Sequence, residues 1–297
     1  MRILHLTDTH LGAHLSVLGA PEGWHRGDDH AHAVAHALAP ALRGEVDVVV
    51  HTGDVFNRSR PSPRAMRDAA RLFTAAAQRV PVVLLPGNHD RHGVRRSLPM
   101  DHPNLHVFDR PTRFVLGELA LGLVPFFRRA DHWATAARAV CAPGVDLLLT
   151  HMAFDGAKVP GFTFRADRRA DTIGRRHLPA GVHTILCGHI HPRQVTHIDG
   201  VQVIQPGATE RTAFSEAQQT KGALRMEWGR TLQWRWQDGP SRPMVTLTRP
   251  GPVQPGSLVR NQTGVPDEVW VERGAWVLRR AAARPRRVAP TQVPLFA

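Results

Sequence analysis

Tyrosine is absent from the 297 residues, and cysteine is nearly so, with only Cys141 and Cys187. Two thiols cannot staple a loop-rich fold, so stability must come from a buried core, and the count suits a reducing compartment. No run approaches the ~18 apolar residues of a membrane span. Asp8 follows the short apolar stretch Met1 to Leu6 at once, which leaves no room for an export signal. The expectation is a cytoplasmic protein with no membrane association. Acidic residues are the next scarcity: 25 Asp and Glu stand against 38 Lys and Arg, a net charge of +13. Such an excess favours an anionic partner, nucleic acid first, although charge alone specifies no chemistry.

Hydrophobic residues make up 42% of the chain, enough for a sizeable core, which excludes whole-chain disorder. The length predicts one large domain or one domain with a small appendage. Histidine is abundant at 19 residues, but abundance is not ligation. His30, His32 and His36 lie in an Ala-rich helical stretch and read as surface or internally satisfied residues. His25, His102, His132 and His197 read the same way.

Short apolar runs alternate with helical stretches. Strands are expected at 3–7, 46–52, 82–85, 114–115, 119–124, 145–150 and 182–187, and helices at 28–43, 62–78 and 130–140. Ser62 is placed to cap the second helix, with Pro63 at its first position. Asp199-Gly200 between alternating segments predicts a hairpin of 194–198 and 201–205, and a second is expected from 223–228 and 231–236. This order predicts an α/β core with antiparallel strands added after residue 190.

The informative pattern lies at the carboxyl end of each strand. Five predicted strands deliver, in turn, Asp8-Thr9-His10, Gly53-Asp54, Pro86-Gly87-Asn88-His89-Asp90, His151 and Gly188-His189-Ile190-His191. Ligands in open α/β sheets bind at the carboxyl ends of strands, and a random scatter of His and Asp would not choose that end five times. The set mixes oxygen donors (Asp8, Asp54, Asn88) with nitrogen donors (His10, His151, His189, His191) and has no thiolate. That chemistry favours manganese, iron or zinc in a catalytic site. Seven side chains are too many for one ion with an open position; they suit two, ~3.5–4 Å apart. Two dications facing two carboxylates leave a positive site that attracts a phosphate ester.

These motifs resemble the calcineurin-like metallophosphoesterase superfamily over residues 1 to about 215. The resemblance implies a four-layer αββα sandwich with a metallophosphoesterase domain at 1–215; the hairpin pattern and a shift to Pro, Gly and Arg near Gly239 add a β-hairpin extension at 216–250 and a Pro/Arg-rich basic tail at 251–297. It assigns one cation to Asp8, His10, Asp54 and His191, and the other to Asp54, Asn88, His151 and His189, with manganese ahead of iron or zinc. His89 becomes general acid or charge stabiliser at the leaving oxygen, and Asp90 its orienting partner. Within the superfamily, Leu6 to Gly12, Gly53 to Asn57 with Arg60-Pro61-Ser62, and Pro206 to Phe214 are similar to the DNA-repair exonuclease branch that includes the bacterial SbcD nuclease subunit. The implied function is a DNA exonuclease or endonuclease in repair or recombination. A small-molecule or cyclic-nucleotide phosphodiesterase and a non-catalytic nucleic-acid-binding scaffold are the alternatives. An SbcC-like ATPase subunit and a second copy of the chain are the implied partners.

Candidate DNA contacts are Asn57, Arg58 and Arg211, with Arg284, Arg286 and Arg287 in a run of five arginines and no acid from residue 279 on. The ending Gln292-Val293-Pro294-Leu295-Phe296 resembles the short motif that grips a sliding clamp, with Leu295 and Phe296 as apolar anchors and Gln292 fixing register.

Overall fold

The computed structural model describes residues 1–15, 25–90, 93–142, 144–229, 231–247 and 256–261, together with the strands Val269–Glu272 and Ala275–Leu278. Arg284, Arg286, Arg287, Gln292, Leu295 and Phe296 lie outside the described residues. The chain divides into two compact units, Met1–Leu15 with Gly23–Arg242 and Ser16–Glu22 with Pro243–Ala297.

The first unit opens with β1 (Arg2–Leu6), α1 (Arg26–Leu42), β2 (Val48–His51), α2 (Pro63–Ala77), β3 (Val82–Leu84), α3 (Gly93–Ser97) and β4 (Leu105–Val107). It continues with β5 (Thr112–Leu116), β6 (Leu119–Val124), α4 (Ala130–Cys141), β7 (Leu147–Thr150) and the short strands β8 (Ala153–Phe154), β9 (Lys158–Val159), β10 (Phe162–Thr163) and β11 (Thr172–Ile173). β12 (Thr184–Cys187), β13 (Gln194–Ile198), β14 (Val201–Gln205), β15 (Gly222–Glu227) and β16 (Gln233–Asp238) complete it. In the second unit β17 (Met244–Leu247) pairs in parallel with β18 (Leu258–Asn261), and β19 (Val269–Glu272) pairs antiparallel with β20 (Ala275–Leu278).

Two six-stranded sheets form the first unit. One runs β16-β15-β1-β2-β3-β4, with β1 to β4 parallel; the other runs β13-β14-β12-β7-β6-β5, with β14, β12, β7 and β6 parallel. The expected hairpin at 223–236 supplies β15 and β16, antiparallel strands beside β1.

Side-chain alternation explains the layering, since successive strand residues point to opposite faces. Ile3, Val48, Val50 and Val83 pack against Leu121, Leu147, Leu149 and Leu186 between the sheets. Their neighbours Leu4, Leu6, Val49, Val82 and Leu84 pack outward on α1 and α2 through Val34, Leu38, Leu72 and Phe73. Leu148, Ile185 and Val203 turn the other way, onto Trp133 and Ala137 of α4. Both faces of the central strands are therefore buried, which is why they read as continuous apolar runs. The order helix, sheet, sheet, helix is the expected αββα sandwich.

Local chemistry fixes the element ends. Ser62 Oγ accepts from the Ala65 amide at 3.2 Å, and Pro63 opens α2. Asp199 and Gly200 take φ of 50° and 81°, the left-handed pair of a two-residue hairpin turn. The three-residue β4 has too few positions to show an alternating signal in the sequence.

Candidate metal centre

Loops leaving β1, β2, β3, β7 and β12 meet at one end of the sandwich. Beyond the strands, the Asp8 amide donates to Gly53 O at 2.9 Å, that of His10 to Asp54 O at 3.1 Å and that of Leu11 to Val55 O at 2.8 Å. These bonds zip the first two loops together. Five non-glycine residues among those described have φ in the left-handed region, and four are candidate ligands: Asp8 (50°), His10 (44°), Asp54 (55°) and His189 (78°). L-residues adopt this conformation at a cost of ~1–3 kcal/mol, and such strain collects at functional sites. Close approach adds to it. A Cβ on Gly53, at φ 107°, would stand 2.3 Å from His151 Nδ1, and one on Gly188 would stand 2.2 Å from Thr7 Oγ1.

Seven side chains converge here. His10 Nε2 is 3.1 Å from His191 Nε2 and 3.9 Å from both Asp8 Oδ1 and Asp54 Oδ2. His151 Nε2 lies 3.4 Å from Asp54 Oδ2. Asn88 Oδ1 faces His151 Nε2 at 3.0 Å and His189 Nδ1 at 2.8 Å. Donor atoms of Asp8, His10 and His191, of His10, Asp54 and His89, and of Asp8, Asp54 and His151 form three groups within 4.8 Å. All the sequence-predicted ligands are thus brought together, with Asp54 central.

The backs of the rings determine which nitrogens face inward. His151 Nδ1 donates to Thr52 O at 2.7 Å, so in the neutral ring Nε2 offers its lone pair to the cluster. His191 Nδ1 meets Glu216 Oε1 at 2.7 Å with the same consequence. Thr212 gives its amide to Glu216 Oε2 and its hydroxyl to Oε1, and Lys221 Nζ reaches Oε2 at 2.9 Å. Sequence reasoning misses Glu216 and Lys221, which lie 25 and 30 residues beyond His191 in no recognisable spacing; Thr212 falls in the Pro206 to Phe214 stretch, but nothing there announces its contact with Glu216.

Burial opposes charge throughout, and partners decide the balance. Burial alone would lower His151, but Asp54 and Asp8 push it up to about 9. Burial would raise Asp54, yet the His151 and His10 imidazoles hold it far below the usual carboxylate range. Burial lowers His189 to about 3 and His10 well below its ordinary value. His191 escapes the same fate through Glu216.

His89 is the half-exposed member of the group. Its Nδ1 donates to Asn57 O at 2.9 Å, and its Nε2 is 3.9 Å from Asp54 Oδ2. Asp90 does not orient it, contrary to expectation. That carboxylate is buried and accepts the amides of Val55, Phe56 and Gly87 at 2.9, 2.7 and 3.1 Å, stapling the second loop to the third. Arg211 is a second correction. Its guanidinium donates to the carbonyls of Gln219 and Arg242, so it braces its own loop and is not presented to a ligand. Arg58 is exposed and, with Leu11, His14, Arg60 and Ser62, lines a surface cavity of about 420 Å³.

The donor set fits divalent cations on its own geometry. Asn88 Oδ1 accepts from ring nitrogens of His151 and His189 when those carry protons, and paired Nε2 atoms of His10 and His191 share one proton at most. With the protons removed, the same atoms converge as lone pairs of a mixed oxygen and nitrogen donor set that suits divalent cations. Cys187 stays out, its thiol turned to the Met152 and Gly188 carbonyls.

Comparison with known proteins agrees with this arrangement. The chain is 27% identical over 220 residues to the DNA double-strand break repair protein Mre11 of Aeropyrum pernix, covering 65% of this chain and 50% of that protein. It is 28% identical over 226 residues to Mre11 of Haloferax volcanii, covering 72% and 47%. To an SbcCD nuclease subunit of Rhodobacter capsulatus it is 37% identical over 93 residues, covering 30% and 22%. The chain spans about half the length of the two Mre11 proteins. The calcineurin-like phosphoesterase family profile matches residues 1–193, a stretch holding every candidate ligand from Asp8 to His191. The chain belongs to the calcineurin-like phosphoesterase family.

Proposed function

We propose that this protein is a metal-dependent DNA phosphodiesterase, an exonuclease or endonuclease of DNA repair or recombination, with manganese as its working metal. The observation that carries the proposal is the convergence of four imidazoles, two carboxylates and an amide around Asp54, with the inward nitrogens of His151 and His191 selected by partners behind them. Asp8, His10, Asp54 and His191 would hold one cation, and Asp54, Asn88, His151 and His189 the other. When bound, such a pair lowers the pKa of water and polarises phosphoryl oxygens. His89, anchored at Nδ1 by the Asn57 carbonyl, would act as the imidazolium, passing its Nε2 proton to the leaving oxygen and keeping the Nδ1 proton on Asn57, a role worth ~10²–10⁴-fold. Asp90 acts on the backbone, holding the Asp54 and Asn88 loops in register.

The nucleic-acid part of the reading rests on the net charge of +13, the Mre11 and SbcCD relatives, and the Arg58 and Arg60 cavity beside Asn57. An SbcC-like ATPase subunit is the partner this reading carries with it. No helix among the described residues is long and apolar enough to cross a membrane.

The test is purified protein with manganese, offered labelled single- and double-stranded DNA and bis-p-nitrophenyl phosphate, beside His89→Ala. The expected result is cleavage of DNA and ester, with metal retained and turnover strongly reduced in the variant. Cleavage of the ester alone points to a small-molecule phosphodiesterase, and intact substrates with tight DNA binding point to a scaffold.

A further inference from the structure

The segment between His151 and His189 carries a feature the chemistry above does not use. Ala153 and Ala157 are buried with Ile190, the residue between His189 and His191, and Val159 and Phe164 pack against them. The Lys158 amide donates to Gln194 Oε1 at 2.8 Å, and Gln194 Nε2 returns to Lys158 O at 3.0 Å. Gly156 and Phe164 amides bond to Phe164 O and Ala157 O at 2.9 and 2.8 Å. The β9–β10 hairpin is therefore fastened to the loop that bears two candidate ligands.

Its outer end is built differently. Gly161 turns the chain at φ 76°, and Phe162 is left 46% exposed. Among the described residues the exposed large hydrophobics are Leu42, Val115 and Phe162, so Phe162 is the aromatic one. The ring is nevertheless held in place. It meets Phe164 edge to face at 5.0 Å, Arg169 lies over Phe164 at 5.5 Å, and Asp171 takes two hydrogen bonds from Arg169. Lys158, opposite Thr163 in the hairpin, and Arg165 and Arg168, three and six residues beyond Phe162, are exposed and make no ion pair among the described residues; the exposed Asp167 between the two arginines is the one acid of that stretch. A fixed, wet aromatic ring on a hairpin segment rich in unpaired cations matches a polyanion with stackable rings better than it matches an apolar protein surface.

We propose that the β9–β10 hairpin is a stacking platform, on which Phe162 receives an unpaired nucleobase while Lys158, Arg165 and Arg168 take neighbouring phosphates of the same strand. This rests on the phosphodiesterase reading and deepens it, because it selects single-stranded or frayed DNA over a closed duplex. Stacking on one aromatic side chain is worth ~5–150-fold in affinity, and it is lost with the ring, not with the bulk.

The probe is a fluorescein-labelled 12-nucleotide oligothymidine, with a blunt duplex of the same length as comparison, titrated in EDTA against wild type, Phe162→Ala, Phe162→Leu and Phe162→Trp. Melting temperatures check that each variant is folded. The expected pattern is a ~5–150-fold weaker Kd for the single strand in the Ala and Leu variants, near wild-type binding for Trp, and a much smaller change for the duplex. Undiminished single-strand binding by Ala, full retention by Leu, or equal losses on both DNAs would overturn the proposal. Hydrolysis of bis-p-nitrophenyl phosphate by wild type separates the failures. If the ester is cut while Phe162 proves irrelevant, only the platform falls; if the ester is not cut, the enzymatic reading falls first.

Discussion

Lys221 and Glu216 form a buried ion pair, 2.9 Å from Nζ to Oε2, immediately behind His191. The lysine is fully enclosed and also donates to the His191 carbonyl at 3.1 Å, while Glu216 Oε1 fixes the His191 ring. Two charges brought out of water need a reason beyond stability, since an apolar pair of the same size would serve the core as well. Holding an imidazole with its lone pair outward is such a reason.

Glu216→Gln is therefore expected to weaken manganese binding by ~10–100-fold, read by isothermal titration calorimetry. Lys221→Met alone should cost ~3–5 kcal/mol by stranding Glu216, and adding Glu216→Gln should recover most of that loss. Unchanged manganese affinity in Glu216→Gln would show that the carboxylate merely fills space.

Strain at the ligands predicts a trade between stability and metal. His10 sits at φ 44°, is buried, and has no partner for Nδ1 among the described residues. Asn visits left-handed backbone routinely because its short amide can hydrogen-bond locally. His10→Asn should leave the metal-free melting temperature unchanged or raised, yet shrink its rise on adding manganese to what the second cation alone supplies. A metal-free variant destabilised by several degrees would mean that the ring is there for packing.

His30 offers a titration separate from the ligands. Its Nδ1 donates to Thr9 O at 3.0 Å, and burial lowers its pKa to about 4. Between the unfolded value of ~6.5 and that folded value, the unfolded chain binds the extra proton. His30 therefore supports the fold above pH ~6.5 and loses that contribution as pH falls towards 4. Urea denaturation of metal-free wild type and His30→Gln should show a stability gap that narrows by about 2 kcal/mol from pH 7.5 to 5. A gap that widens on acidification contradicts the assignment of a neutral buried ring.

Much of this architecture is legible in the chain. Strands buried on both faces read as unbroken runs such as Val48 to Val50, and each ligand follows such a run directly, so the site can be assembled from the order of residues alone. Ser62-Pro63 and Asp199-Gly200 mark their helix start and turn because each carries its own backbone chemistry. The hidden part depends on contacts between distant segments. Glu216 and Lys221 serve His191 through space, with no period to betray them. Asp90 lies beside His89 in sequence, yet its carboxylate turns to three amides while a carbonyl from residue 57 takes the ring. Arg211 has the charge of a DNA contact, but two backbone carbonyls occupy its guanidinium, and no local pattern announces them.

Anomalous diffraction from crystals grown with excess manganese tests most directly whether Asp8, His10, Asp54, Asn88, His151, His189 and His191 clasp two cations with Asp54 between them. Two peaks flanking the Asp54 carboxylate are expected; an empty cluster, or a single peak away from Asp54, would contradict the two-cation centre.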